Sequence, residues 1–542
     1  MFSNHDSIVK TKYGPIHGFQ FESTGGFSSD VFLGIPFATP PVGDLKLEKP
    51  VPPKAWSTPL EAKDHGPPCL TFPGYLNEGG QEDCLYLNIV RPRNPSLDPK
   101  GYPVMVFIHG GCFMLGSIRD LNYKVAADRL VSKGVIFISI QYRLGSLGFY
   151  STGDETCPGN YGIWDQIQAL RFIKEVIKDF GGNPDNVTTF GESAGGASVS
   201  IIGLSEEGSK LFSNMICMSG TAHSPWALNT GILATCDKIT ETLNCCGCSQ
   251  EKKIALKNSG QIVDALKNFI YEIMPSDSIK TVHFNPRIDG DLLEDFDDFK
   301  EIYQKRLTKP TLIGICSFEH RTFCLKNPML PSFAKVFPIP LEDAALFDES
   351  KFRNGIKTLL SEGNPYGDRQ EEALNKVIDF YLTQKSNYKK NQYLQAFVQM
   401  VSDILFNVPS MREAVEKAET GNDVFFYVYD YDKFSNPFCE GAGHGSDLVP
   451  FFGGSRLFPD IPVEGAFEKV VSTFTELFVS FAKDGTPSFN GKELPKVGKN
   501  KIPFLHINEN PFIGEDLWPE RLEFWNSMAK EYNYDWSDSH RK

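Results

Sequence analysis

A serine, a histidine and a carboxylate stand in this chain where acyl-transfer chemistry would need them. The stretch Asn186-Val187-Thr188-Thr189-Phe190-Gly191-Glu192-Ser193-Ala194-Gly195-Gly196-Ala197-Ser198 passes from a β-branched, aromatic run into Gly-Glu-Ser-Ala-Gly and then into small residues. That is a G-x-S-x-G nucleophile elbow between an expected strand and an expected helix. Glycines around the serine let the two backbones approach where side chains would clash. The turn would raise the Ser193 hydroxyl at the carboxyl end of a strand, against a helix N-terminus.

A serine hydroxyl attacks only when a base takes its proton and a carboxylate orients that base. With this type of elbow the acid and then the histidine follow the serine along the chain. The histidines beyond Ser193 are His223, His283, His320, His444, His506 and His540. His444 sits in Gly441-Ala442-Gly443-His444-Gly445-Ser446-Asp447, a glycine-rich loop after an apolar run at 424–429, where a base would be expected. Glu319 directly follows the apolar run 311–315, and Asp289 and Asp447 compete with it for the role of acid. His109-Gly110-Gly111-Cys112-Phe113 follows another apolar run, 104–108. Backbone N–H groups of this loop, with that of Ala194, would converge on a developing oxyanion.

The elements that must position these residues are legible as well. The runs 104–108, 135–140, 215–218, 311–315 and 424–429 are continuously apolar, as in strands buried on both faces. Between the second run and the elbow, Ile163, Ile167, Leu170, Ile173 and Ile177 recur at helical spacing. Strand, helix, strand, helix, strand predicts an α/β fold, a central mostly parallel sheet covered by helices on both faces. Before it, residues 31–38 and 85–90 read as short strands, with a proline-locked loop at 39–43. Between 315 and 424 the chain is mostly helical, most clearly over 393–417 with Leu394, Phe397, Val401, Ile404 and Leu405. Such an insertion would lie over the strand ends and wall a pocket. No repeat, low-complexity tract or linker divides residues 1–542, so one domain is expected.

Composition bounds the function. With 542 residues, 41% hydrophobic and 23% charged, the chain is ordinary for a globular protein. Its net charge of −14 argues against nucleic acid and anionic membrane surfaces as partners. No apolar leader or spanning segment is read at the amino terminus or elsewhere, and no ER-retention or prenylation signal at the carboxyl end. The one sequon, Asn186-Val187-Thr188, falls in the strand feeding the elbow, a poor acceptor. Together these point to the cytoplasm. Twelve cysteines are too few for a disulfide scaffold at this length. Cys69 and Cys84 bracket a Gly/Pro-rich loop and could pair. Cys245-Cys246-Gly247-Cys248 has no second C-x-x-C partner and reads as a surface turn between helices rather than a zinc site.

Across nearly its whole length the chain resembles the carboxylesterase/cholinesterase family of α/β-hydrolases. The resemblance is carried by Gly34-Ile35-Pro36-Phe37-Ala38, Glu82-Asp83-Cys84-Leu85-Tyr86-Leu87-Asn88, Asn160-Tyr161-Gly162, Asp165-Gln166, Phe180-Gly181-Gly182-Asn183-Pro184 and the elbow itself, and it runs on through 284–290 and His444 to Phe524-Trp525. It implies helical insertions over the active site and a serine carboxylic-ester hydrolase working through an acyl-enzyme. Ser193 would be nucleophile, His444 base and Glu319 acid, with oxyanion donors at Gly111, Cys112 and Ala194. It also implies a Cys69–Cys84 disulfide, an acyl-pocket place for Trp226 (a packed core aromatic being the alternative), and no metal or organic cofactor. The substrate would be a small, apolar ester. Departures are Cys112 for the third glycine of the oxyanion triplet, Glu319-His320 for Glu-Gly, Lys46 for an early arginine, and no clear partner for a second disulfide after Cys246. The loop between Cys69 and Cys84 holds Phe72 and Tyr75 but no tryptophan, which argues against cholinesterase-type binding of a quaternary ammonium. Relatives that keep the fold as adhesion proteins lose the serine, which this chain retains. Amidase, lipase and hormone-esterase specialisations would use the same triad.

Overall fold

Period-two alternation inside the apolar runs sorts side chains to two separate cores. In the strand Tyr102–Ile108, Val104, Val106 and Ile108 face one core while Met105 and Phe107 face the other. In Val424–Tyr429, Val424, Phe426 and Val428 go one way and Phe425, Tyr427 and Tyr429 the other. Each large apolar side chain so buried contributes about 1.5–3 kcal/mol, which is why these strands carry no polar face. The computed structural model describes residues 6–538 apart from 24, 72–79, 229–230, 259–278, 280–283, 325–338, 434–436 and 455–457. Phe72, Tyr75, His283 and His540 therefore lie outside the described residues.

The strands in chain order are β1 Asp6–Thr11, β2 Gly14–Glu22, β3 Ser28–Pro36, β4 Leu60–Glu61, β5 Tyr86–Pro92, β6 Tyr102–Ile108, β7 Ile136–Ile140, β8 Gly182–Glu192, β9 Asn214–Met218, β10 Thr311–Cys316, β11 Val424–Tyr429, β12 Ser488–Phe489, β13 Lys492–Glu493, β14 Phe504–Ile507 and β15 Phe512–Gly514. One sheet runs β1-β2-β3-β5-β7-β6-β8-β9-β10-β11-β14-β15, with β4 paired to β2, and β12 and β13 form a separate hairpin. From β7 to β14 every neighbouring pair is parallel, and antiparallel strands flank this centre on both sides. The strands expected at 104–108, 135–140, 215–218, 311–315 and 424–429 are β6, β7, β9, β10 and β11. The last two strands of the sheet, β14 and the edge strand β15, are not among the expectations; they are short, and the polar His506 interrupts the first of them.

The helices that bear on the site are α1 Tyr161–Val176, α2 Ala194–Leu204, α3 Glu349–Leu360, α4 Gln370–Gln384, α5 Gln392–Ser402, α6 Val408–Glu419, α7 Ala466–Asp484 and α8 Pro519–Tyr532. Helix α7 packs on the sheet face that carries Phe107 and Tyr427, whereas α1, α2 and the β10–β11 insertion (α3 to α6) pack on the other. The helix expected over 393–417 is α5 and α6 joined by a π-helical turn, Asp403–Asn407. Buried Asp403 stabilises that turn by accepting from the Tyr381 hydroxyl at 2.8 Å, Gln399 Nε2 at 2.7 Å and Asn407 Nδ2 at 2.8 Å. Single π turns recur at functional sites because they offset the helical ladder; here the Leu405 carbonyl within it accepts from Trp226 Nε1 at 2.9 Å.

The sheet order determines where chemistry can occur. Strands β6 and β8 are parallel neighbours, and so are β10 and β11. The loops at their carboxyl ends, carrying His109–Phe113, Ser193, Glu319 and His444, therefore open on one edge of the sheet, where ligands bind in open α/β sheets.

Candidate active site

Ser193 lies between the last residue of β8 and the first of α2 with φ 59° and ψ −124°, a conformation few non-glycine residues adopt. The strain is held by contacts that leave no room for side chains nearby. A Cβ on Gly195 would fall 2.0 Å from the Ile108 carbonyl oxygen, one on Gly191 2.5 Å from the Gly195 carbonyl carbon, and one on Gly220 2.1 Å from the Ser193 carbonyl oxygen. The Ser193 N–H donates to Met218 O at 2.8 Å, tying the elbow to β9. The glycines read from the sequence thus do the job assigned to them, and the backbone of a serine is held strained at the end of the central strand.

The glycine-rich loop after β6 abuts this serine. A Cβ on Gly110 would sit 2.9 Å from Ser193 Cβ and 2.6 Å from the Glu192 carbonyl oxygen. Gly111, Cys112 and Phe113 all have positive φ, at 114°, 56° and 58°. The resulting turn is closed by the N–H groups of Met114 and Leu115, which both donate to Gly111 O. Among the described residues the N–H groups of Gly111 and Cys112 donate to no other backbone carbonyl. Ala194, as the first helical residue, has no intrahelical acceptor for its own. Burial pushes the Cys112 thiol up to about 12, helped by the negative charge of Glu192, so it stays protonated. Burial also pulls His109 down to about 4; its ring stacks on Tyr142, whose hydroxyl donates to His109 O at 2.9 Å.

In the loops after β10 and β11, His444 Nδ1 meets Glu319 Oε2 at 2.7 Å. Glu319 is fully buried, and its second oxygen accepts from the Cys316 N–H at 2.7 Å. The competing acids are elsewhere engaged. Asp289 accepts from Asn160 Nδ2 at 2.7 Å and from the N–H groups of Asp291, Leu292 and Leu293. Asp447 accepts from the Tyr427 hydroxyl at 3.1 Å. Of the other histidines, His223 stacks on Phe299 at 3.8 Å and His506 pairs with Asp430.

His444 Nε2 makes no hydrogen bond to Ser193 or to any other described residue; it faces Glu192 Oε1 at 3.2 Å. Burial alone would lower the imidazole, but Glu192, Glu319 and the Glu319 hydrogen bond outweigh it and raise it to about 9. Burial pushes the Glu192 carboxyl up to about 7 against the pull of His444. Glu192 was visible in the sequence only as the variable residue of the elbow, and nothing in the spacing shows that it turns back on the histidine.

Aromatic rings enclose the imidazole. Phe406, from the π turn, lies 4.6 Å from it and Phe323 lies 5.0 Å away, their own planes parallel within 1°. Trp226 packs on Phe406 at 5.7 Å and on Phe113 at 6.4 Å, and its ring tip would lie 3.0 Å from a Cβ on Gly220. It is 7% exposed, a packed core aromatic. Phe323 and Phe406 escaped the sequence reading, because no local pattern distinguishes them from the chain's other phenylalanines. Cys69 and Cys84 form a disulfide, while Cys246 and Cys248 are exposed free thiols. Among the described residues no group of His, Cys, Asp and Glu could hold a metal ion, and no helix is long and apolar enough to cross a membrane.

Sheet order, elbow and the loops after β6, β10 and β11 define an α/β-hydrolase. Within that class the chain belongs to the carboxylesterase family, whose profile matches residues 5–525. It is 31% identical to gut esterase 1 of Caenorhabditis briggsae, over 98% of this chain and 94% of that protein. It is 31% identical to a liver carboxylesterase of Sus scrofa, over 97% and 93%, and 30% identical to a cholinesterase of Mus musculus, over 96% and 87%.

Proposed function

We propose that the protein, as one catalytic unit spanning 1–542, hydrolyses small apolar carboxylic esters through an acyl-enzyme on Ser193. The observation that carries this reading is the 2.7 Å contact between His444 Nδ1 and buried Glu319, set beside a serine strained at a nucleophile elbow. Glu319 holds the imidazole so that Nε2 is the basic nitrogen. Nε2 takes the Ser193 hydroxyl proton as the oxygen attacks the ester carbonyl. Catalytic hydrogen bonds commonly tighten only when substrate is bound, so Nε2 moves from Glu192 to Ser193 at that stage. The carbonyl oxygen, now an oxyanion, is received by the N–H groups of Gly111, Cys112 and Ala194, each worth about 3 kcal/mol in the transition state. His444 returns the proton to the leaving alcohol, and water activated by the same nitrogen releases the acid and regenerates the serine. Each step needs only groups of this chain and water, and none calls for a metal or organic cofactor.

Phe113, Trp226, Phe323 and Phe406 favour an apolar substrate over a charged one, since burying a charge against rings without a partner is costly. The absence of tryptophan between Cys69 and Cys84 supports a carboxylesterase rather than a cholinesterase specificity. A cytoplasmic setting is supported by the exposed thiols of Cys246 and Cys248, whereas the Cys69–Cys84 bridge favours an oxidising one. Counting alkylated thiols in protein isolated from its own cells, unfolded in denaturant without reduction, separates the two: twelve for a cytoplasmic, reduced chain and ten for a bridged one.

The functional test is hydrolysis of a graded series of acyl p-nitrophenyl esters by the parent and by Ser193→Ala. The reading expects activity in the parent, a preference for uncharged acyl groups and a loss of at least about 10³-fold in the variant. Equal rates would overturn it.

A further inference from the structure

The loop bearing His444 is not held by an ordinary strand ladder; two side-chain hydroxyls from the Glu319 segment grip it. Three backbone contacts join the segments: Phe318 N–H donates to Ala442 O at 2.9 Å, His444 N–H to Glu319 O at 3.2 Å, and Ser317 N–H to Tyr429 O at 3.0 Å. Where a ladder would use another carbonyl, the Ala442 N–H instead donates to Ser317 Oγ at 2.8 Å. On the far side of the histidine, Thr322 Oγ1 donates to the His444 carbonyl at 3.1 Å.

The glycines of Gly441-Ala442-Gly443-His444 fit these two hydroxyls. A Cβ on Gly441 would fall 2.7 Å from Ser317 Oγ and 2.1 Å from the Phe318 ring, and one on Gly443 would fall 2.5 Å from Thr322 Oγ1. Gly441 also has φ +80°. The loop is glycine-rich because the hydroxyls must reach its backbone, not because it is loose.

A hydroxyl rotor holds a loop only if its own proton has a fixed acceptor. Ser317 Oγ donates to Asp430 Oδ1. Asp430 is fixed in turn by His506 Nε2 at 3.1 Å and by its own N–H, which donates to Ile507 O at 2.8 Å. A chain of contacts thus runs from β14 through Asp430 and Ser317 to the backbone two residues before the imidazole.

We propose that Ser317 and Thr322 are positioning residues for His444, a hydroxyl clamp that sets where the imidazole stands relative to Ser193 and Glu319, with Asp430 fixing the Ser317 rotor. The proposal rests on the role given to His444 under the proposed function. Neither hydroxyl is placed at the reacting atoms; each acts through the loop backbone, and a displacement of about 1 Å at a catalytic group costs roughly 10²-fold.

The test compares the parent, Ser317→Ala, Thr322→Val, Thr322→Ser and the Ser317→Ala/Thr322→Val double variant. The clamp expects kcat in the double variant to fall by roughly 10²-fold while KM stays within about twofold. Thr322→Val should lower kcat alone, and Thr322→Ser, which keeps the hydroxyl, should restore it. A kcat in the double variant within about twofold of the parent overturns the proposal, and so does an equal loss in Thr322→Ser and Thr322→Val. A second readout does not depend on ester hydrolysis: the far-downfield NMR proton of the His444–Glu319 hydrogen bond. It should shift or vanish in the double variant while far-UV circular dichroism is unchanged, and an unshifted proton overturns the clamp. If Ser193→Ala keeps full activity, the proposed function fails, and the NMR readout still decides the clamp.

Discussion

Replacing Glu192 with glutamine should move the acid limb of the pH–rate profile to lower pH. In the parent, Glu192 Oε1 is 3.2 Å from His444 Nε2. Full unit charges at that distance, with an effective dielectric of about 20, would interact by about 5 kcal/mol, or ~4 pKa units at about 1.4 kcal/mol each. That is a ceiling, because the carboxylate charge is shared between two oxygens and the imidazolium charge between two nitrogens, so only part of each stands at this distance. A shift of about 1–2 units is the working value, within the usual range for an opposite charge at close approach. The sign follows from the base: His444 must be neutral to accept the serine proton, and Glu192 favours its protonated form, raising it to about 9. Glutamine removes that pull, so the imidazole becomes neutral, and the enzyme active, at lower pH. The same change weakens the base, and the plateau of kcat should fall by roughly threefold to tenfold. The assay is kcat/KM for an uncharged p-nitrophenyl ester from about pH 5 to about 10.5 at constant ionic strength, corrected for spontaneous hydrolysis. An acid limb unmoved within about 0.3 unit, or moved upward, would refute the reasoning.

Further outcomes follow from the packing. Cys112→Gly releases a left-handed non-glycine residue (φ 56°) and, after the entropy glycine loses on folding, should raise stability by about 0.5–1 kcal/mol in urea unfolding with activity retained; a destabilised variant would contradict this. Gly195→Ala places a Cβ 2.0 Å from the Ile108 carbonyl oxygen, so a loss of about 3 kcal/mol or more is expected, together with loss of activity. Arg143→Met strands the buried Asp165 carboxylate, now paired at 2.7 Å, at a cost of about 3–5 kcal/mol by denaturant midpoint. Cys84→Ser opens a loop whose ends are 15 residues apart and should lower stability by about 3 kcal/mol under non-reducing conditions and leave it unchanged under reducing ones.

The parallel centre of the sheet was readable because strands buried on both faces leave continuous apolar runs, as in β6 and β11. The elbow was readable because the strained turn at Ser193 demands glycine at Gly191 and Gly195, a local signature. His444 and Glu319 could be placed because each follows a core strand, and topology puts the carboxyl ends of neighbouring parallel strands side by side. What stayed hidden depends on contacts between distant segments. Glu192 turning onto His444, Phe406 presented by a π turn, and the Ser317 and Thr322 hydroxyls gripping the 441–444 loop leave no periodic trace. The glycines at 441 and 443 were visible, but their reason was not, because the atoms that exclude a side chain there belong to residues more than a hundred positions earlier. The strands β14 and β15, four and three residues long, are too short for an alternating pattern to register.

The central claim is that Ser193 carries the acyl group, and trapping that group tests it most directly. Mixing the protein with excess p-nitrophenyl ester and quenching into acid during turnover, for intact mass and peptide mapping, should show an acyl group, no more than one per chain, on the peptide containing Ser193, and none in Ser193→Ala. An acyl group on another residue, or undiminished acylation of Ser193→Ala, would contradict the account.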